Sequence, residues 1–130
     1  MILRMLENPI ELLRGVCRNE AVKPIFKRDL SHGCNITLAG YGYPFVQLSG
    51  PIVPVQIDGE FDCDVFWNEV GLDEDGILCA TGHRISDVVA LGSSMAEAIA
   101  KVYENIAKIR CLGSYYRTDV GESLWPPGTV

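Results

Sequence analysis

Between Leu112 and Glu122 the chain reads LGSYYRTDVGE, which gathers Tyr115, Tyr116, Arg117 and Asp119 between two glycines. These side chains can bind. A guanidinium grips a carboxylate or phosphate through parallel N–H donors, and a tyrosine hydroxyl both donates and accepts. Arg84, in TGHR, is a second guanidinium of the same kind. The competing reading of Arg117 and Asp119 is a local ion pair that fixes the end of the last strand. Neither GxSxG, GxxxxGK[ST] nor GxGxxG occurs, so the chain has no nucleophile elbow and no phosphate cradle of its own. His32 and His83 are its two histidines, and their spacing gives no reason for them to meet. Asp58 to Asp75 holds eight carboxylates without a base, which raises the question of a metal. The nearest approach to a calcium loop, GLDEDG, puts Gly71 and Gly82 where the first and twelfth ligands belong, so these acids read as the wet face of a hairpin. No catalytic residue and no metal ligand set is assigned.

The elements that must position these groups follow from periodicity. In ENPIELLRGVCRN, Asn8 is a candidate N-cap, Pro9 suits the first helical position, and Ile10, Leu13 and Cys17 recur on one face. Lys23–Gly33 reads as a charged linker. From Cys34 the period changes to two. CNITLAGYGYP, PIVPVQI, GEFDCDVFW, GILCAT and RISDVVALG read as strands, with LDEDG as a turn. In GEFDCDVFW, Phe61, Cys63 and Val65 alternate with Glu60, Asp62 and Asp64. The last helix is SSMAEAIAKVYENIAKIRC, opened by a Ser94–Glu97 capping box and closed by Gly113 as a left-handed cap. Its stripe is Ala98, Ile99, Val102, Tyr103, Ile106 and Ile109, with Glu97–Lys101 and Glu104–Lys108 as i,i+4 pairs. Strands in series followed by a helix predict an α+β fold: a small antiparallel sheet or half-barrel, an N-terminal helix, and one long helix packed on the sheet. The organisation expected is a helix and linker over residues 1–33, one domain over 34–121, and an extended tail over 122–130.

At 130 residues, 48% of them apolar, the chain has material for one packed domain. No apolar run reaches the length of a bilayer span, and the N-terminus lacks the pattern of a signal peptide. The five cysteines are scattered without a CxxC pair, which favours free, buried thiols and a reducing, cytoplasmic setting. Residues 1–32 hold six Lys/Arg against four Asp/Glu, and the remainder holds five against thirteen. So acidic a body repels phosphate backbones, and neither nucleic acid nor membrane is expected as a partner.

In order, GYGYP (Gly40–Pro44), DVFW (Asp64–Trp67), DGILCATGHR (Asp75–Arg84), VVALGSSMAEAIAKVY (Val88–Tyr103) and KIRCLGSYYRTDVG (Lys108–Gly121) resemble the C-terminal domain of phosphoribosylamine–glycine ligase, an ATP-grasp enzyme of purine biosynthesis. MILRMLENPIELLRGVC resembles the leucine-rich helix that precedes that domain. Three stretches depart from the family pattern: Trp67-Asn68-Glu69-Val70 stands for its HAGT, Gly82-His83 for its GG, and FVQLSG follows GYGYP without the usual glycine and lysine.

The resemblance implies a domain that closes an active site whose ATP and magnesium are bound upstream, by ATP-grasp domains in the same or a separate chain. It makes Arg84, Arg117 and Asp119 the candidate contacts to substrate or to the missing domains. It implies no cofactor bound by this chain alone and no ligation by it alone. An apolar patch left by missing domains would favour a homodimer. Two other readings stay open: a stand-alone, non-catalytic binding module that kept the fold, and a small enzyme using the acidic face.

Overall fold

The computed structural model describes residues 2–29, 32–45 and 53–122. A 3₁₀ turn (Ile2–Met5) and helix α1 (Pro9–Arg18) come first, then strands β1 (His32–Ala39), β2 (Val53–Ile57), β3 (Asp64–Trp67), β4 (Val70–Leu72), β5 (Leu78–Ala80) and β6 (Arg84–Gly92). Helix α2 (Met95–Ile106) and strand β7 (Ile109–Cys111) complete the order. Every pairing is antiparallel, in two sheets of order β1-β6-β3 and β4-β5-β2-β7. The α+β class holds. The tail beyond Glu122 and the stretch after Phe45 lie outside the described residues.

Strand β6 sits between β1 and β3 because RISDVVALG is apolar enough to be buried on both faces. One face presents Val88 and Ala90, joined by Cys34, Ile36 and Leu38 of β1, to Ala98, Val102 and Ile106 of α2. Phe61, Cys63 and Val65 pack against this core as their alternation predicts. The strand-to-helix turn is tight: a Cβ on Gly92 would lie 2.9 Å from the Ala98 nitrogen.

Ser94 caps α2 by accepting from the Glu97 amide at 3.2 Å. Glu97 turns back to Ser93, accepting from its amide at 2.8 Å and its hydroxyl at 2.6 Å. The expected Glu97–Lys101 pair is thereby displaced. Lys101 instead meets Asp62 at 3.2 Å, while Lys108 and Glu104 stand 4.0 Å apart. Fully buried Asn105, hidden within the apolar stripe, donates to Asp62 and to the Lys101 carbonyl and accepts from Lys108.

Four expectations need correction. Helix α2 stops at Ile106 because Ile109–Cys111 pairs with Val55–Ile57 of β2, and strand pairing outweighs the helical pattern. Gly113, at φ +73°, turns the chain after β7 and is not the helix cap. Asn8 precedes α1 but makes no capping bond; its amide donates to the Lys23 carbonyl and its oxygen accepts from the Ile25 amide. Leu72, the first residue of the expected turn LDEDG, instead ends strand β4, and Asp73 closes the turn by accepting from the amides of Asp75 and Ile77.

These bonds fold residues 20–27 back along α1. Gly15 is the buried residue of that helix, and a Cβ there would meet Val22 at 2.4 Å. Its apolar stripe stays open, with Ile10, Leu13 and Val16 exposed. The five cysteines are free, but only Cys34 and Cys79 are buried, and Cys17 is exposed. Among the described residues no helix is long and apolar enough to cross a membrane.

The two helices should answer mutation differently. Ile106→Ala removes a fully buried side chain and should cost about 2–5 kcal/mol in urea unfolding. Leu13→Ala on the open face of α1 should stay within about 0.5 kcal/mol at concentrations too low for self-association. Equal losses would mean that α1 is buried in solution.

Candidate functional site

Three stretches distant in sequence, 35–43, 84–87 and 115–120, meet at one cavity. The turn after β1 places Gly40 against the start of β6: its amide donates to the His83 carbonyl at 2.7 Å, and a Cβ on it would lie 3.1 Å from the Gly82 oxygen. The Tyr43 and His83 rings stand 6.5 Å apart. Ala39 and Tyr115 exchange two backbone hydrogen bonds, each 2.8 Å, and the Tyr115 hydroxyl donates to the Tyr43 carbonyl at 2.7 Å. This isolated bridge, not a terminal strand, is what LGSYYRTDVGE forms. Tyr116 packs on the core with its ring 6.3 Å from Tyr103, and both tyrosines line the cavity.

The cavity has a volume of about 520 Å³ and is lined by Thr37, Ala39, Tyr43, Arg84, Asp87, Tyr115, Tyr116, Arg117 and Val120, with Asn35 and Ile36. Arg84 and Arg117 thus share one wall-set. Arg84 makes no side-chain hydrogen bond or ion pair among the described residues, so its guanidinium is available to an anion. Arg117 is engaged: Nε and one terminal nitrogen donate to the two Asp119 oxygens at 2.8 and 2.6 Å. Asp119 is not among the lining residues. Arg117 holds the Asp119 carboxyl below its ordinary value, and Asp119 raises the guanidinium in turn. Arg117 and Asp119 thus form the local ion pair. Tyr103, taken for an apolar stripe residue, pins this turn: its hydroxyl donates to the Arg117 carbonyl and accepts from the Val120 amide.

The altered positions meet each other here. One Glu69 oxygen accepts from the amides of His83 at 2.5 Å and Arg84 at 2.9 Å, while the Glu69 amide donates to the Arg84 carbonyl at 2.8 Å. Gly82 leaves the room, since a Cβ there would fall 2.5 Å from that oxygen. The Arg84 amide above all, helped by that of His83, holds the Glu69 carboxyl below its ordinary value against a smaller opposing effect of burial. Asn68 donates to Asp87 at 2.8 Å, and Thr37 donates to the other Asp87 oxygen at 2.5 Å. Asp87 lines the cavity yet escapes a reading by alternation, because it stands three residues from Arg84.

Glu69 and Asp62, the latter lowered chiefly by Asn105, both have folded-state values below their ordinary 4.5 and 3.8. Such groups stabilise the fold fully above the unfolded-state value and cease to as pH falls through the folded-state one. The urea midpoint should therefore be flat near neutrality and drop at acid pH, with a shallower acid limb in Glu69→Gln. The His83 and Arg84 amide resonances should titrate with Glu69. An unchanged limb and amides that do not titrate would show the carboxylate free in solution.

Comparison with known proteins identifies the family and agrees with the fold. The family model described as phosphoribosylglycinamide synthetase, C domain, matches residues 33–123. A phosphoribosylamine–glycine ligase of Caulobacter vibrioides is 30% identical over 125 residues, covering 93% of this chain and 29% of that protein. The chloroplastic ligase of Arabidopsis thaliana is 26% identical, covering 93% of this chain and 23% of its own length. The crystal structure of phosphoribosylamine–glycine ligase from Thermotoga maritima superposes with a TM-score of 0.66 at 26% identity, over 86% of this chain and 28% of that one. The chain spans less than a third of the length of these relatives, and the family match extends over most of its own, from β1 through the turn that carries Arg117 and Asp119. The chain belongs to the phosphoribosylglycinamide synthetase C-domain family.

Proposed function

We propose that the chain serves as the C-terminal part of a phosphoribosylamine–glycine ligase, closing the site at which an ATP-grasp portion joins glycine to phosphoribosylamine in the cytoplasm, and that it does not catalyse alone. The observation that carries this is the convergence of three family stretches, GYGYP, DGILCATGHR and KIRCLGSYYRTDVG, on one cavity with the Arg84 guanidinium uncommitted. Arg84, and Arg117 with its Asp119 partner, are the assigned contacts to an anionic substrate or to the neighbouring domain. No group of three or more His, Cys, Asp or Glu that could hold a metal occurs among the described residues. ATP and magnesium are assigned to the ATP-grasp portion because the resemblance implies it, and no step is derived through them. The open face of α1 is assigned to the same partner, because the relatives match across it and carry more than two thirds of their length beyond the match.

One observation favours the second reading, a non-catalytic module: Glu69 already fills the amide pair of His83 and Arg84. Mixing decides between them. The Caulobacter ligase truncated of its matching C-terminal segment should be inactive, as should this chain. Together they should form product from ATP, glycine and phosphoribosylamine, and Arg84→Ala should lower the rate about 10-fold or more, as loss of one charge-assisted contact would. An inactive mixture of folded proteins supports the module; product from the chain alone contradicts both.

Without its partner, the face of Ile10, Leu13 and Val16 should drive dimer formation in sedimentation at high concentration, and Leu13→Asp with Val16→Asp should return a monomer. A wild-type monomer would remove the homodimer from the account.

A further inference from the structure

Side chains alternate across a strand, so Arg84 and Asp87 would face opposite ways if β6 were regular. The register shows otherwise. Thr37 stands opposite Asp87 and Leu38 opposite Ser86, but Ala39 stands opposite Arg84, leaving Ile85 as one extra residue. This β-bulge re-aims the strand end, and the Ile85 carbonyl is satisfied by the Asn68 amide at 3.0 Å. Arg84 and Asp87 consequently line the same cavity. Their partners on β1 are two residues apart, which sets the two backbones about 7 Å from each other along the sheet.

Taking the cavity as the ligand site of the proposed function, we propose that Asp87 is a ligand-contacting residue brought onto the face of Arg84 by the bulge. The pair selects small anions that also carry a cationic nitrogen. Arg84 supplies an uncommitted guanidinium for the anion. Asp87 accepts one hydrogen bond on each oxygen, from Thr37 and from Asn68, and a carboxylate oxygen accepts two, so each keeps one position for an ammonium donor. The two existing bonds also fix the carboxylate in direction. The rival role for Asp87 is a tie between β1 and the segment after β3, with no ligand involved.

Matched probes separate the two roles. The wild-type chain is titrated, with amide and Arg84 Nε resonances followed by NMR, against methylphosphonate and aminomethylphosphonate, and against propionate and β-alanine. Each aminated probe should bind about fivefold or more tightly than its partner, and the phosphonate and carboxylate arms report which anion Arg84 prefers. Asp87→Asn should abolish the preference while leaving the unaminated probes within about twofold. Thr37→Val, which cuts the tie but keeps the charge, should retain the preference. Arg84→Gln should weaken all four. Equal binding within both pairs by the wild type, persistence of the preference in Asp87→Asn, or no saturable binding of any probe would overturn the proposal. Equal binding would leave a positive mixing experiment standing, so failure here and failure of the ligase reading are told apart.

Discussion

The pairing of β6 with β1 and β3 is the constraint on which the other features depend. It gives the sheet one face closed by α2 and another that holds the cavity. Its single irregularity, the extra residue at Ile85, falls where the buried run of the strand gives way to the turn TGHR. A bulge leaves a backbone group to be satisfied, and the Asn68 amide does so. The same irregularity turns a guanidinium that would have faced the core toward water and ligand. Burying an unpaired Arg84 under α2 would cost far more than the local disruption of one ladder.

The departures from the family pattern acquire a common physical basis. Read separately, Trp67–Val70 and Gly82–His83 are two losses. In the fold they are neighbours, and the carboxylate of Glu69 lies on the amides that Gly82 leaves open. A backbone amide pair attracts an anion; here the anion is internal, and it locks the turn from which Arg84 projects. The order of that turn is therefore intrinsic to the chain, whichever partner covers the cavity.

Much of this was legible in the residues. Alternation in β3 and β6 and the 3.6-residue stripe of α2 gave the class and most of the core, because burial on one face leaves a periodic trace. What escaped is what periodicity does not encode. Ile109–Cys111 is apolar in either a helix or a strand, and only its pairing with β2 decides. Asn8 has the type of a cap, yet the returning segment offered it better partners. Tyr103 and Asn105 were hidden by sitting on the apolar face of α2 while bonding through their polar ends. Arg84 was found by its type and by the resemblance. Asp87 could not be, since the bulge that unites the two residues reverses the parity from which facing is inferred.

The register at the end of β6 is therefore the point to measure. In an NMR spectrum of the labelled chain, inter-strand contacts between backbone protons of β1 and β6 should place Thr37 opposite Asp87, Leu38 opposite Ser86 and Ala39 opposite Arg84, with Ile85 unpaired to β1. Contacts that place Ala39 opposite Ile85 instead would mean an unbroken ladder. Arg84 would then lie on the face of α2, and the shared site of Arg84 and Asp87 would not exist.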